Sequence, residues 1–171
     1  MVRLPPFSQP TYERRAVARP ARFVQDRPNN QGEETSMAES ELYKKGEAIR
    51  KSLMGEAAFK RRQAEYHASP VMKKFIDVAT ETVFGSLWAR PGLDMKTRTL
   101  ICVVSDAATG RHPELDIHLR FALKEGWTED ELTEVLLHLS GYVGVPIIRE
   151  SMLVAAEVFK DVKAKEAGGK A

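Results

Sequence analysis

Two of the four histidines stand where proton chemistry is possible. His118 follows Glu114 by four residues and Arg111 by seven, which lines the three along one side of a helix if helical geometry reaches back to Arg111. His138 precedes Tyr142 by four residues, so an imidazole and a phenol would face one cleft if that helix persists. An imidazole of ordinary pKa, about 6.5, exchanges protons at neutral pH without environmental tuning. Each histidine also has a plainer reading as a hydrogen-bonded packing residue. His67, in a polar link, and His112, at a helix start, carry only the plainer one.

Arg90, Arg98, Arg111, Arg120 and Arg149 all fall in the part of the chain that reads as packed. Guanidinium groups hold carboxylates through two parallel hydrogen bonds, so a small acid is the substrate class they would suit, with surface ion pairs as the competing use. Trp88, beside Arg90-Pro91-Gly92, is a hydrophobic anchor or a pocket wall. A metal site is not indicated. There is no HExxH or CxxC, and neither His118 nor His138 has a second histidine three or four residues away. The single cysteine, Cys102, lies in the apolar stretch TLICVV. One cysteine excludes an intrachain disulfide and a CxxC redox centre, points to a reducing, cytoplasmic setting, and reads as a small core residue.

The elements that must position these groups read as helices throughout, with no alternating β-branched runs. Glu39 to Lys51 forms a first helix closed near Met54-Gly55, and Glu56 to Tyr66 a second. Ser69-Pro70 is an N-cap followed by proline at the first helical position; Val71, Phe75, Val78 and Val83 mark an apolar face, with a stop near Gly85. Asp94 caps a helix from Met95 to Thr109 that is apolar nearly all round between Leu100 and Ala108, as a central helix should be. Gly110 ends it, His112-Pro113 starts the next, and Gly126 terminates that one. Thr128 and Glu131 form a capping box; Gly141, Gly144 and Pro146 break or bend the chain; Ile147 to Val162 is the last long helix.

The chain has 171 residues, enough for one domain with a core of its own. No apolar run approaches the roughly 20 residues needed to span a bilayer. Net charge is +2, and the whole excess lies in the first 36 residues, so the remainder has no nucleic-acid footprint. Residues 1–36 also hold five of the nine prolines and read as an extended or disordered arm, with a faint likeness to an organelle transit peptide. Residues 37–171 are then the folded unit.

Residues 86–146, SLWARPGLDMKTRTL followed by GRHPELDIHLRFALKEGWTEDELTEVLLHLSGYVGVP, closely resemble the carboxymuconolactone decarboxylase family, with a looser likeness from about residue 41 to the last helix. The resemblance implies an all-α, alkylhydroperoxidase D-like bundle of six to seven helices. It also implies assembly into homotrimers or homohexamers with sites near subunit interfaces. Peroxidase-like members of that superfamily carry Cys-x-x-Cys-x-x-x-His; here Arg111 and Glu114 stand where the cysteines would be, and Thr99 where a relay glutamate would be. Thiol-based peroxide reduction is excluded without the pair that forms the disulfide.

What remains is similar to the decarboxylase branch: Trp88 before RPGLD, Arg98, His118-Leu119-Arg120, and Tyr142-x-Gly-Val-Pro146. Members act without metal or organic cofactor on a carboxylated muconolactone or on related ring acids. Loss of CO2 leaves an electron pair on carbon that must be delocalised into a neighbouring carbonyl and then protonated. The expected catalytic set is His118 as general acid with Arg98, Glu114 and His138; Trp88, Arg120 and Tyr142 are expected to bind substrate. The chain departs from the family after GVP, where Ile147, Ile148 and Arg149 replace small residues. Two other readings stand beside this one, a lactone hydrolase or isomerase and a non-catalytic helical oligomer.

Overall fold

The computed structural model describes residues 40–168. Helices α1 (Glu41–Met54), α2 (Glu56–His67) and α3 (Pro70–Ala79) come first, and α3 runs on into a wide π-type segment, Thr80–Trp88. Then follow α4 (Met95–Thr109), α5 (His112–Lys124), α6 (Glu129–Val143) and α7 (Val145–Gly168). The fold is all-α with seven α-helices and no strand among the described residues. The expected arm, residues 1–36, lies outside them. No helix among them is long and apolar enough to cross a membrane.

Local chemistry sets most boundaries. Ser40, Ser69, Asp94 and Thr128 each accept a hydrogen bond from the backbone N–H three residues on, satisfying a donor the helix cannot. The Thr128–Glu131 capping box is complete. Gly110 and Gly126 adopt the left-handed φ of 68° and 90° that closes α4 and α5.

Helices α4 to α7 surround one core. Val103 and Ala107 of α4, Leu115, Leu119 and Ala122 of α5, Leu132 and Leu136 of α6, and Val158 of α7 have no exposed surface. Burying each of the larger side chains contributes roughly 1.5–3 kcal/mol. Trp127 donates from Nε1 to the Lys96 carbonyl at 3.0 Å, pinning the start of α4 to the turn after α5.

Three expectations are corrected. The helix opened by Pro70 does not stop near Gly85 but continues to Trp88, because Gly85 and Gly46 mark a close crossing of α1 and the π segment. A Cβ on Gly85 would run into the Leu42 carbonyl, and one on Gly46 into that of Thr80. Gly141 does not interrupt α6, which ends at Gly144 with φ 100°. Most consequentially, Val71, Phe75, Val78 and Val83 do not face the core: Val71 is 75% and Phe75 60% exposed. The inner side of this element carries Ile76, Asp77 and Thr80 instead. That inner side meets Arg50 of α1, which is wholly buried and needs polar neighbours. Its Nη1 donates to Gln63 Oε1 at 3.0 Å and to Thr80 Oγ1 at 2.8 Å, and its guanidinium lies against the rings of Phe59 and Phe84.

Candidate active site

Within the apolar stretch of α4 one carboxylate is buried. Asp106 is 7% exposed, and its Oδ2 lies 2.5 Å from His118 Nδ1 on α5. A nitrogen lone pair and a carboxylate lone pair repel at that distance, so a proton lies between them. The His118 side chain keeps 21% of its surface exposed and sits edge-on to Phe121, with ring centroids 5.8 Å apart. It is anchored on one side and open on another, an arrangement suited to exchanging a proton with a ligand. One turn before Asp106, burial, reinforced by the Asp106 charge, pushes the Cys102 thiol up to about 11. At neutral pH this sulfur is an uncharged neighbour and not a nucleophile.

Glu114 stands one helical turn before His118 on α5, so the two side chains share one face of that helix. Arg111 is the N-cap, with non-helical φ −90° and ψ 71°, yet its Nη2 still reaches Glu114 Oε1 at 3.3 Å. A hydrogen bond from its own backbone N–H, followed by the Arg111 guanidinium and His118, holds the Glu114 carboxyl below the usual glutamate value.

The other expected site residues are not gathered here. Arg98 turns back toward the start of α4, where Nη2 donates to the Arg90 carbonyl at 2.6 Å and Nε to that of Leu93 at 3.2 Å. It therefore fastens the Arg90–Leu93 turn, eight residues and about 12 Å of helix rise from Asp106. Arg120 is two residues beyond His118 on α5, about 200° round the helix and hence on its far side. Its guanidinium is committed to Asp116 at 3.0 and 3.1 Å and to Asp161 of α7 at 2.6 Å. That double pairing ties α5 to α7 and argues against a substrate carboxylate there. Arg120 borders a cavity of about 460 Å3 with Leu53, Arg61, Arg62, Phe121 and Lys124.

His138 and Tyr142 do share a face, since α6 persists through both; their rings are 5.1 Å apart and both are exposed. They form an outer surface, and His138 borders a groove of about 400 Å3 with Val104, Glu134, Val135 and Leu139. Val104 and Asp106 are two residues apart on α4, so this groove and the His118 dyad open on opposed sides of that helix. Neither cavity is lined by His118. Trp88 rests against Phe84, centroids 5.5 Å apart, at the end of the π segment.

Sequence reasoning missed Asp106. The signal was present: an acid inside an otherwise apolar helical stretch is expensive to bury without a partner. No three His, Cys, Asp or Glu side chains among the described residues come together in a way that would hold a metal ion.

A family model described as the carboxymuconolactone decarboxylase family matches residues 73–157, which span the π segment, the His118–Asp106 pair and most of α7. A protein named 4-carboxymuconolactone decarboxylase from Acinetobacter baylyi is 36% identical over 126 residues, covering 74% of this chain and 92% of that protein. Nitrosuccinic acid decarboxylase npaB from Metarhizium robertsii is 32% identical over 121 residues, covering 71% and 83%. An uncharacterized 15.0 kDa protein of Paracoccus denitrificans is 31% identical over 83 residues, covering 47% and 62%.

Proposed function

The chain belongs to the carboxymuconolactone decarboxylase family, and from that premise we propose that it is a carboxy-lyase releasing CO2 from a small carboxylated compound. The substrate class is a carboxylated lactone of the 4-carboxymuconolactone kind or a related acid whose carboxylate leaves beside an electron-withdrawing group. The observation that carries the reading is the half-open His118 imidazole anchored through Nδ1 on Asp106.

The bond from carbon to the carboxylate breaks, CO2 departs, and the electron pair enters the substrate's neighbouring carbonyl as an enolate. The proton on His118 Nε2 then passes to carbon, forming the new C–H bond, and the ring is reloaded from solvent. The electron sink is the substrate's own acceptor group, so this sequence asks for no metal or organic cofactor. Arg111, exposed and held by a single longer contact to Glu114 at the start of the helix that bears His118, is the guanidinium this reading assigns to the substrate carboxylate. Arg98 shapes the turn that follows Trp88, and Arg120 braces α5 on α7.

Self-association as a homotrimer or homohexamer belongs to the same reading. Val71, Phe75, Val78, Val83 and Leu87 form an exposed apolar strip along α3 and the π segment, and Leu137, Tyr142, Val145 and Ile147 are exposed apolar residues around the end of α6. Contiguous patches of this kind mark protein contacts. A second copy on such faces would take this apolar surface out of water, which is the gain that drives association. The single cysteine fits a reducing, cytoplasmic setting.

The test is a screen of 4-carboxymuconolactone, nitrosuccinic acid and related β-keto and lactone acids for loss of CO2 by mass spectrometry, with His118→Ala as the control. Decarboxylation that falls at least a hundredfold in the variant is expected. Activity of His118→Ala within twofold of wild type removes His118 from the mechanism, and a product that retains its carboxyl replaces the lyase with a hydrolase or isomerase.

A further inference from the structure

We infer that Asp106 is the positioning residue of this site, fixing the His118 ring so that Nδ1 keeps its hydrogen toward Asp106 and Nε2 alone exchanges a proton with substrate. The inference deepens the proposed function and rests on His118 being the proton donor.

The carboxylate of Asp106 has one hydrogen-bond partner among the described residues, and that partner is His118 Nδ1 at 2.5 Å. Burial makes the arrangement expensive if it served packing alone. An aspartate on a central apolar helix loses its hydration, and an apolar side chain of similar size would fill the same space more cheaply. Residues on both sides of the pair restrict it. Leu115 and Leu119, flanking His118 on α5, and Val103 and Ala107, flanking Asp106 on α4, are fully buried, so the two backbones are held at fixed spacing. Phe121 meets the imidazole edge-on. A ring so held has only one nitrogen left to offer, and Nε2 lies across the imidazole from Nδ1.

This explains what the site needs chemically. An imidazole free to rotate or to exchange tautomers presents a donor to substrate only part of the time, and each misplacement raises the barrier to a proton transfer that requires close alignment. With Nδ1–H pinned, donation from Nε2 leaves a neutral ring of defined tautomer, ready to be reloaded at the same atom. Asp106 of α4 and Glu114, one turn back on α5, interact with the His118 ring, while Cys102 neighbours Asp106 and Arg111 pairs with Glu114. Of these, only Asp106 is hydrogen-bonded to the ring.

Two measurements on the full chain test this. In two-bond proton–nitrogen NMR spectra of histidine-15N-labelled wild-type protein, the neutral form of the His118 ring is expected to hold its hydrogen on Nδ1. A neutral wild-type ring protonated on Nε2 overturns the inference, and this readout needs neither a substrate nor a variant. In Asp106→Asn, of nearly the same shape, the Nδ1–H signature is expected to be lost or mixed. With 4-carboxymuconolactone, kcat should fall about 10- to 100-fold while KM stays within about threefold. An active Asp106→Asn beside an inactive His118→Ala overturns the role of Asp106 alone. An active His118→Ala overturns instead the donor assignment on which the inference rests.

Discussion

Gly85 of the π segment lies against the Leu42 carbonyl of α1 so closely that a Cβ could not be added without moving one backbone or the other. Gly46 stands in the same relation to Thr80, so the two helices cross on a pair of bare backbones. The approach lets Arg50 of α1 reach Thr80 and the Phe84 ring.

Gly85→Ala is expected to destabilise the fold by ~1–3 kcal/mol, the usual cost of overpacking, read from urea unfolding. Gly92→Ala, where a Cβ would meet nothing within 4 Å, is the matched control and should shift stability by less than about 0.5 kcal/mol. Equal effects at both positions would show that the crossing tolerates a methyl group.

The exposed strip on α3 predicts an effect on assembly. Replacing Phe75, 60% exposed, by glutamate should leave the far-ultraviolet circular dichroism unchanged, because the side chain is outside the core. Light scattering coupled to size exclusion should then report a smaller species than wild type. Wild type eluting as a monomer would show that the strip is not a contact between copies.

Asp161 gives an acid-side prediction. Lys165 and then Arg120 hold its carboxyl below the ordinary value of 3.8, so its native pKa is depressed relative to the unfolded chain. The stabilisation from such a group is fully present above the unfolded value and is lost as pH falls through the native one. Asp161→Asn should therefore be less stable than wild type at pH 7, with the difference shrinking below about pH 4 as thermal melts are repeated across the range. A gap that does not depend on pH would assign the effect to something other than this ion-pair network.

For Cys102, a thiol pushed up to about 11 stays protonated at neutral pH. Native protein should react with a disulfide reagent such as DTNB at pH 8 at least tenfold more slowly than the urea-unfolded chain, whose thiol titrates at about 8.5. Comparable rates in the two states would mean that the burial around α4 is less complete than the fold indicates.

Much of the scaffold was legible because the signals are local. Asp94 and Thr128 cap their helices, and Gly110 and Gly126 end theirs, as turn chemistry requires within a few residues. The resemblance around RPGLD and HLR likewise located the family and singled out His118. The same local reasoning put His138 and Tyr142 on one face of α6, where their rings meet.

Local pattern failed where a distant partner decided the outcome. The apolar spacing of Val71, Phe75, Val78 and Val83 defines a face but not its direction; in the packed fold the Thr80 and Asp77 side is inward, where Thr80 meets buried Arg50 of another helix. The sequence grouped Arg98, Arg120 and His118 by family likeness, whereas Arg98 folds back on its own turn and Arg120 closes on Asp161, 41 residues away. Asp106, twelve residues before His118, becomes its partner only when α4 and α5 pack. The caps and glycine terminators that bound most of the helices are written in neighbouring residues, because they depend on hydrogen bonds and spacings within a turn or two. Which side of a helix is buried, and which carboxylate meets which cation or imidazole, depends on how helices far apart in the chain cross, and that is settled only by the packed tertiary structure.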